Sequence, residues 1–367
     1  MSDASRLEAV VVRTLLTHLP GMQGDNLLTL AYLIVGLILG RNVQLAKIAE
    51  RVNYAHKESS LEDRFRRFVA NPNIEVQVSY SIFIRLIFKA INLKQLVLSI
   101  DTTKSGGGCI TLMLGVSYQS RALPLVWLTF KGKKGHTPQA MQLALLKTVQ
   151  GYLPPDSQVI LLGDGEFDGC QVLEWLNQQP NWRFVCRTAK DTRVKRQEQW
   201  FSLHELAPAC GQEAFFDQLL FTQAHQVGPS NIMAVWVVKE QCHWFFVTNV
   251  ETLAEAKLWY RKRFQIETLF SDLKSRGFNL QQGRLKDPQR VNRLILALAM
   301  AYLFIVFWGV EAITSGAFRQ MIRTDRFDHS LSQLGFKYIY RLLKKCLSIP
   351  PLLSLPAPTS FSHLVLC

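Results

Sequence analysis

Two apolar runs in the sequence stop on an acid. "LVLSID" ends at Asp101 and "QVILLGD" at Asp164. A carboxylate set among aliphatic side chains is costly unless something satisfies it. Two such acids side by side repel each other, and a divalent cation relieves that repulsion. A third acid, Glu267, lies in "YRKRFQIETLFSDLK", Tyr260 to Lys274. On one helix at about 100° per residue, Tyr260, Arg263, Glu267 and Lys274 fall within roughly 60° of one another. Trp259, Ile266, Leu269, Phe270 and Leu273 form an apolar stripe beside them. Arg261, Gln265, Thr268 and Asp272 point away from both and are expected in solvent. An acid is thus held among bases at the rim of a core. The plain alternative is a surface salt bridge between Arg263 and Glu267, four residues apart. Three carboxylates suit one or two Mg²⁺ ions, which take oxygen ligands and keep several waters. Two such ions, about 3.5–4 Å apart, support displacement at a phosphodiester.

The elements that must position these acids follow from the pattern around them. From Lys94 three strands are expected, "LVLSID", "CITLMLGVSY" and "ALPLVWLTF", with Gly106 to Gly108 turning the first. "TPQAMQLALLKTVQGYL" then predicts a helix with Thr137 as N-cap and Pro138 at its first position. "QVILLGD" is a fourth strand, "FDGCQVLEWLNQQ" a helix and "WRFVCRTAK" a fifth strand. The order βββαβαβ is that of a ribonuclease-H-like domain. In such a sheet the first and fourth strands are neighbours, which would set Asp101 beside Asp164. "GDGEFDG" also offers Glu166 and Asp168, but Asp164 follows its strand directly. Residues 191 to about 247 interrupt the pattern with polar turns and β-like runs such as "NIMAVWVVK" and "HWFFVTNV", a β-rich insertion. Lys104 and "KGKKGH", Lys131 to His136, sit on expected loops as phosphate-contact candidates, with a merely solvated loop as the alternative.

The whole chain reads as α/β: a ribonuclease-H-like catalytic core, 93–310, flanked by helical N- and C-terminal regions. Residues 1–92 lack β-like alternation. "NVQLAKIAERVNYAHKESSLEDRFRRFVAN" has the rhythm of helix, break, helix, with Ser59 or Ser60 capping the second. That helix carries Arg64, Arg66 and Arg67, so a DNA-binding bundle is favoured over plain packing. Residues 311–367 hold an amphipathic segment, "LSQLGFKYIYRLLKKCL", and a Pro-rich tail, "IPPLLSLPAPTS", a candidate dimerisation region.

Composition narrows the partner. The 42 Lys+Arg against 28 Asp+Glu leave a net charge of +14, which favours a polyanion, nucleic acid ahead of an anionic membrane. The 7 cysteines are scattered and include no C-x-x-C, which argues against a disulfide framework or zinc site and fits a reducing cytoplasm. Cys242-His243 is no metal pair, because neighbours on a strand point to opposite faces. Met1 to Glu8 is polar and gives no signal-peptide pattern. "LLTLAYLIVGLILG" is shorter than the ~20 residues a spanning helix needs. "LILALAMAYLFIVFWGV" is borderline and is expected as a buried central helix, not a membrane span.

With these residues in place, the sequence resembles a bacterial insertion-sequence DDE transposase of the hairpin-forming cut-and-paste group. Asp101, Asp164 and Glu267 look like the DDE triad. Tyr260, Arg263, Glu267 and Lys274 match the signature Y-x-x-R-x-x-x-E-x-x-x-x-x-x-K. Four fixed residues at ~5% frequency each would match a chain of this length about twice in a thousand by chance, so the signature adds weight to the acids. Many relatives carry Arg immediately after the second Asp; here it is Gly165, which removes a possible phosphate contact but leaves the acid. The resemblance implies that Asp101, Asp164 and Glu267 hold two Mg²⁺ ions, with Mn²⁺ as a substitute. Tyr260, Arg263 and Lys274 would then grip a DNA phosphate. It also implies a tryptophan at the end of the insertion that stacks on a flipped base. Trp244 fits by its place ahead of "VTN-x-x-x-LAEA" and Tyr260; Trp236 is the rival, and simple packing the alternative. The resemblance further implies binding of terminal inverted repeats and target DNA, hairpin-mediated excision, strand transfer, a homodimer in the synaptic complex and a cytoplasmic, nucleoid-associated location. Other readings stay open: a catalytically silent DNA-binding relative or regulator, another ribonuclease-H-like nuclease, and, from the apolar runs, a membrane protein.

Overall fold

The computed structural model describes residues 2–133, 135, 137–323 and 329–352. Lys134 and His136 of the basic loop, and the Pro-rich tail from Leu353 onward, lie outside the described residues.

Five helices come first: α1 (Asp3–His18), α2 (Gly24–Gly40), α3 (Leu45–Ala49), α4 (Glu58–Ala70) and α5 (Val76–Ile91). The helix-break-helix rhythm holds, but its first helix, α3, is only 5 residues long. Neither serine caps α4. That helix begins at Glu58 after Lys57 and has no side-chain cap.

The sheet follows, with β1 (Gln95–Gly106), β2 (Cys109–Tyr118), β3 (Arg121–Lys131), α6 (Gln139–Gln150), β4 (Gln158–Gly163), α7 (Cys170–Asn177) and β5 (Trp182–Thr188). This is the βββαβαβ order. β1 runs on past Asp101, because its hairpin with β2 pairs as far as Gly106–Cys109; Asp101 is therefore inside a strand, not at its end. The glycine turn at its tip is required sterically: Gly107 has φ +56°, and a Cβ there would meet the Leu285 carbonyl oxygen at 1.9 Å. β1 pairs with β4 in parallel, Ser99 opposite Leu162 at the last pair. Thr137 does not cap α6. Its N–H and hydroxyl are both bonded to Glu166, and the helix starts one residue later than expected, at Gln139.

The insertion is part of the same sheet. β6 (Arg193–Arg196), β7 (Gln199–Ser202), β8 (Ala214–Phe221), β9 (Val227–Val237) and β10 (Cys242–Thr248) extend it through β10, which pairs antiparallel with β5. The 10 strands run in the order β3-β2-β1-β4-β5-β10-β9-β8-β6-β7. A mixed α/β architecture with one large central sheet is thus established.

Four further helices complete the described chain: α8 (Leu253–Tyr260), α9 (Phe264–Leu273), α10 (Pro288–Thr314) and α11 (Leu331–Lys344). The stretch Tyr260 to Lys274 is not one regular helix. Arg261–Arg263 tightens into a 3₁₀ turn between α8 and α9, and Lys274 lies beyond α9 with φ −97° and ψ −126°. α10 is long and apolar enough to cross a membrane by length and composition, but it is almost wholly buried inside the protein. It starts as sequence chemistry dictates, with the Asp287 side chain accepting from Arg290 N–H at 2.8 Å and Pro288 at its first turn. Its buried Arg293 donates to the carbonyls of Ile74 (3.2 Å) and Val69 (3.1 Å), so the N-terminal helices are tied into the main core.

Asp272 corrects the wheel. It is buried, not solvated, because Arg121 at the start of β3 forms an ion pair with it and the Tyr302 hydroxyl donates to it at 3.2 Å. Burial still pushes its carboxyl above the ordinary range, and Arg121 pulls the other way. Trp259, assigned to the buried stripe, is only half-buried, with its Nε1 donating to Glu255 at 3.2 Å.

Candidate active site

Side chains alternate along a strand, so one buried residue fixes the face of those two and four positions away. A small apolar cluster of Val97, Ile160, Leu162, Val185, Met233, Phe246 and Tyr260 lies between the sheet and α8. Alternation from Val97 puts Asp101 on this face of β1. From Leu162 it puts Asp164 here, from Val185 Arg187, and from Phe246 Trp244. β1, β4, β5 and β10 are consecutive in the sheet, so the four residues share one face, with Phe246 opposite Arg187 and Trp244 two residues further along β10. The β1–β4 ladder ends at Ser99–Leu162; carried forward two residues, the register sets Asp101 beside Asp164. Gly163 lets the chain fold back here, since a Cβ would stand 2.7 Å from the Phe167 Cβ.

Asp101 is 3% exposed, and its Oδ1 accepts from Thr102 N–H at 2.6 Å. Arg263 reaches in from the 3₁₀ turn, with Nη1 3.9 Å from Asp101 Oδ2 and Nη2 2.5 Å from Glu267 Oε1. The i,i+4 pair foreseen as the plain alternative therefore exists, and the same guanidinium also faces Asp101. Glu267 itself is half-exposed. Arg263 is buried, which opposes its charge, but Tyr260, Glu267 and Asp101 together raise its pKa. Tyr260, expected at the rim, is buried against Phe246 with ring centroids 4.5 Å apart. Burial pushes its phenol up to about 12, against the pull of Arg263 and Arg187, so it stays a neutral donor near neutral pH.

The rivals of Asp164 have other occupations. Glu166 is bonded through its carboxylate to Thr137 and Thr102. Burial raises the Asp168 pKa, a Thr188 hydrogen bond counters, and the nearby charge of Asp164 raises it further. The two tryptophans separate cleanly. Trp244 pairs across the ladder with Val235, while Trp236 pairs with His243, on the opposite face from the acids. Trp244 is half-buried; its Nε1 donates to Glu240 at 2.7 Å and the Arg187 guanidinium lies 4.0 Å from its ring.

Of the other basic candidates, only Lys274 directly follows the helix that carries Glu267. Lys104 is exposed, but alternation turns it to the face opposite Asp101. Lys274 is half-buried beyond α9, with Nζ 5.9 Å from the Phe270 ring. On α4, Arg64 donates to Thr29 Oγ1 (2.6 Å) and the Asp25 carbonyl (3.0 Å), Arg66 is paired with Glu62, and Arg67 is exposed. Sequence reasoning missed Arg187, which period-two counting from Val185 in "WRFVCRTAK" would have placed.

Residues 101–304 match the family described as Transposase DDE domain, more than half of the chain and a span that holds all three acids. The chain belongs to this transposase family. Membership implies an enzyme that cleaves and transesterifies DNA, and DDE transposases generally use divalent metals. The three acids offer oxygen donors, the hard ligands such an ion takes, with Asp101 within β1 and Asp164 directly after β4. Among the described residues, no group of at least three His, Cys, Asp or Glu side chains is close enough to hold an ion; Glu267 is turned to Arg263. Among solved structures, the cryo-EM structure of a piggyBac transposase synaptic complex with hairpin DNA aligns at 13% identity and a TM-score of 0.45, covering 94% of this chain and 80% of that one. A comparison with curated proteins gives no match.

Proposed function

We propose that this DDE transposase is a cut-and-paste enzyme with a ribonuclease-H-like core. It binds the terminal inverted repeats of its own element, works as a homodimer on two paired ends, and acts in the bacterial cytoplasm. The observation that supports the reading is the β1–β4 register, which carried two residues past its last pair leads to Asp101 and Asp164, together with Arg263, which faces Asp101 and is bonded to Glu267.

Asp101, Asp164 and Glu267 would hold Mg²⁺ or Mn²⁺. When bound, such ions activate the attacking oxygen and stabilise the leaving one. The chain's own residues do the rest. The parallel β1–β4 pairing delivers the two aspartates to the same end of the sheet. Buried Tyr260 keeps its proton, so it orients DNA as a donor and takes no part as a base. Arg263, Lys274 and Arg187 supply positive charge to the phosphates at the cut end. Hairpin excision is supported by the Tyr260–Arg263–Glu267–Lys274 signature. Trp244 lies on the face of the acids, where a flipped base can be held by stacking. With Arg187 over its ring, that base and the guanidinium share the tryptophan or exchange places on it. The exposed Arg67 and solvent-facing Arg66 of α4 support end recognition by the N-terminal helices.

The test is a plasmid carrying the element between its matched inverted repeats, incubated with the purified full chain and Mg²⁺. Gel separation over time should give nicked, then hairpin-ended, then released products. Release without any hairpin species would remove the hairpin step; no Mg²⁺-dependent cleavage of a plasmid with intact repeats would remove the enzyme.

A further inference from the structure

The parallel ladder between β1 and β4 stops at Ser99–Leu162, two residues short of both aspartates. Beyond that point the β1–β4 ladder pairs no further described residues. A side chain takes over. Glu166 Oε1 accepts from the Thr137 N–H at 2.8 Å and from the Thr137 hydroxyl, and Oε2 accepts from the Thr102 hydroxyl at 3.2 Å. Its own N–H donates to Asp164 Oδ1 at 3.0 Å. Its carbonyl accepts from Gln142 Nε2 at 3.1 Å, and that amide also donates to the Thr137 carbonyl at 3.1 Å. On the other side, Thr102 N–H donates to Asp101 Oδ1 at 2.6 Å. Asp101, Thr102, Glu166 and Asp164 therefore form one continuous hydrogen-bonded bridge across the gap between the strands.

The bridge lies behind the acids. Asp101 projects toward α8, so by alternation the next residue, Thr102, projects toward α6, where Thr137 and Gln142 wait for Glu166. Thr102, Thr137 and Gln142 are all buried, so water is a poor substitute for any of these bonds.

We propose that Glu166 is the positioning residue of the two aspartates: it clamps the β4 loop to β1 from the rear face and sets the spacing at which Asp101 and Asp164 act together. Both its oxygens are engaged by donors on that rear face, so it acts as an acceptor of hydrogen bonds and not as a ligand. The inference rests on the assignment of Asp101 and Asp164 as metal-holding acids. A geometric role has a distinct signature. Glutamine matches the shape of Glu166, its oxygen accepts from Thr137, and its amide donates to the Thr102 hydroxyl, so the neutral isostere keeps the clamp. A ligand has no such rescue.

The experiment is Mn²⁺ titration of the full chain without DNA, read by the electron paramagnetic resonance of free Mn²⁺, with thermal melting run in parallel. Glu166→Ala should weaken Mn²⁺ binding about 10- to 100-fold, the usual cost of losing a partner that orients ligands. Glu166→Gln should restore it to within about threefold of the unmodified chain, since the bridge is remade. Thr102→Val, which deletes one bond and fills the space with a methyl, should fall between them; it carries the test alone if the alanine variant does not fold. Asp164→Asn should lose binding and serves as the reference. Glu166→Gln binding as poorly as Asp164→Asn would make Glu166 a ligand and overturn the proposal. Undiminished binding by folded Glu166→Ala or by Thr102→Val would overturn the clamp. Unchanged binding by Asp164→Asn would instead remove the metal assignment beneath it.

Discussion

One short helix, α9 with the turn before it, carries two arginine–carboxylate pairs with opposite fates. Asp272 and Arg121 are 3% and 1% exposed, and Tyr302 satisfies the same carboxylate. Glu267, little more than a turn earlier, is 51% exposed and bonded to Arg263. The partner types are the same; burial and the extra bond from Tyr302 separate them. The inner pair joins α9 to β3 and α10 and fixes the helix. The outer pair leaves one acid at the surface, beside a guanidinium that also faces Asp101. A fixed end and an adjustable end on one helix is what a site needs if its third acid must meet something that arrives from solution.

The comparison is broken most easily at its inner end. Arg121→Ala strands a buried carboxylate, which should cost about 3–5 kcal/mol of stability, measured by denaturant unfolding. A loss below about 1 kcal/mol would mean that the inner pair is no more structural than a surface one.

A second, smaller effect is expected at Trp244, on the face of the acids but outside the helix. Trp244→Ala should leave first-strand nicking nearly intact and slow hairpin formation by about 5- to 150-fold, the equivalent of about 1–3 kcal/mol of base stacking. Equal slowing of both steps with a lowered melting temperature would assign Trp244 to packing, with Arg187 as its partner.

The N-terminal arginines repeat the contrast between engaged and available charge. Arg64 is bonded into the bundle, whereas Arg67 is exposed and Arg66 is held only by surface acids. Removal of each phosphate contact should lower the salt slope of binding to the terminal repeats by about one, so Arg66→Ala and Arg67→Ala should flatten it and Arg64→Ala should mainly lower stability. Deleting residues 1–92 is no test of recognition, because α2, α4 and α5 pack on α10 and Arg293 is bonded between α4 and α5. An Arg64→Ala chain that melts normally but binds DNA with a reduced slope would reverse the assignment.

The acids stood out in the sequence because charge after a buried apolar run is conspicuous, although β1 runs on past Asp101, and the strand order followed from runs long enough to show their period. What stayed hidden depended on distant partners. Nothing near Asp272 announces Arg121, which is 151 residues away, so the helical wheel sent Asp272 to solvent. The 3₁₀ turn at Arg261–Arg263 has no glycine or proline to mark it. The insertion looked separate because a sequence pattern shows strands but not their neighbours, and only the pairing of β10 with β5 joins it to the sheet. Trp244 and Trp236 looked equivalent for the same reason, until the ladder put them on opposite faces.

The smallest structural change should have the largest chemical consequence. Glu267→Gln breaks only a half-exposed pair and should cost about 1 kcal/mol or less in stability. The direct test of the central claim is cleavage of terminal-repeat DNA by this variant in Mg²⁺ and in Mn²⁺, with binding to the same DNA measured alongside. The account predicts normal melting, retained binding and no nicking with either ion; nicking at the rate of the unmodified chain would contradict it.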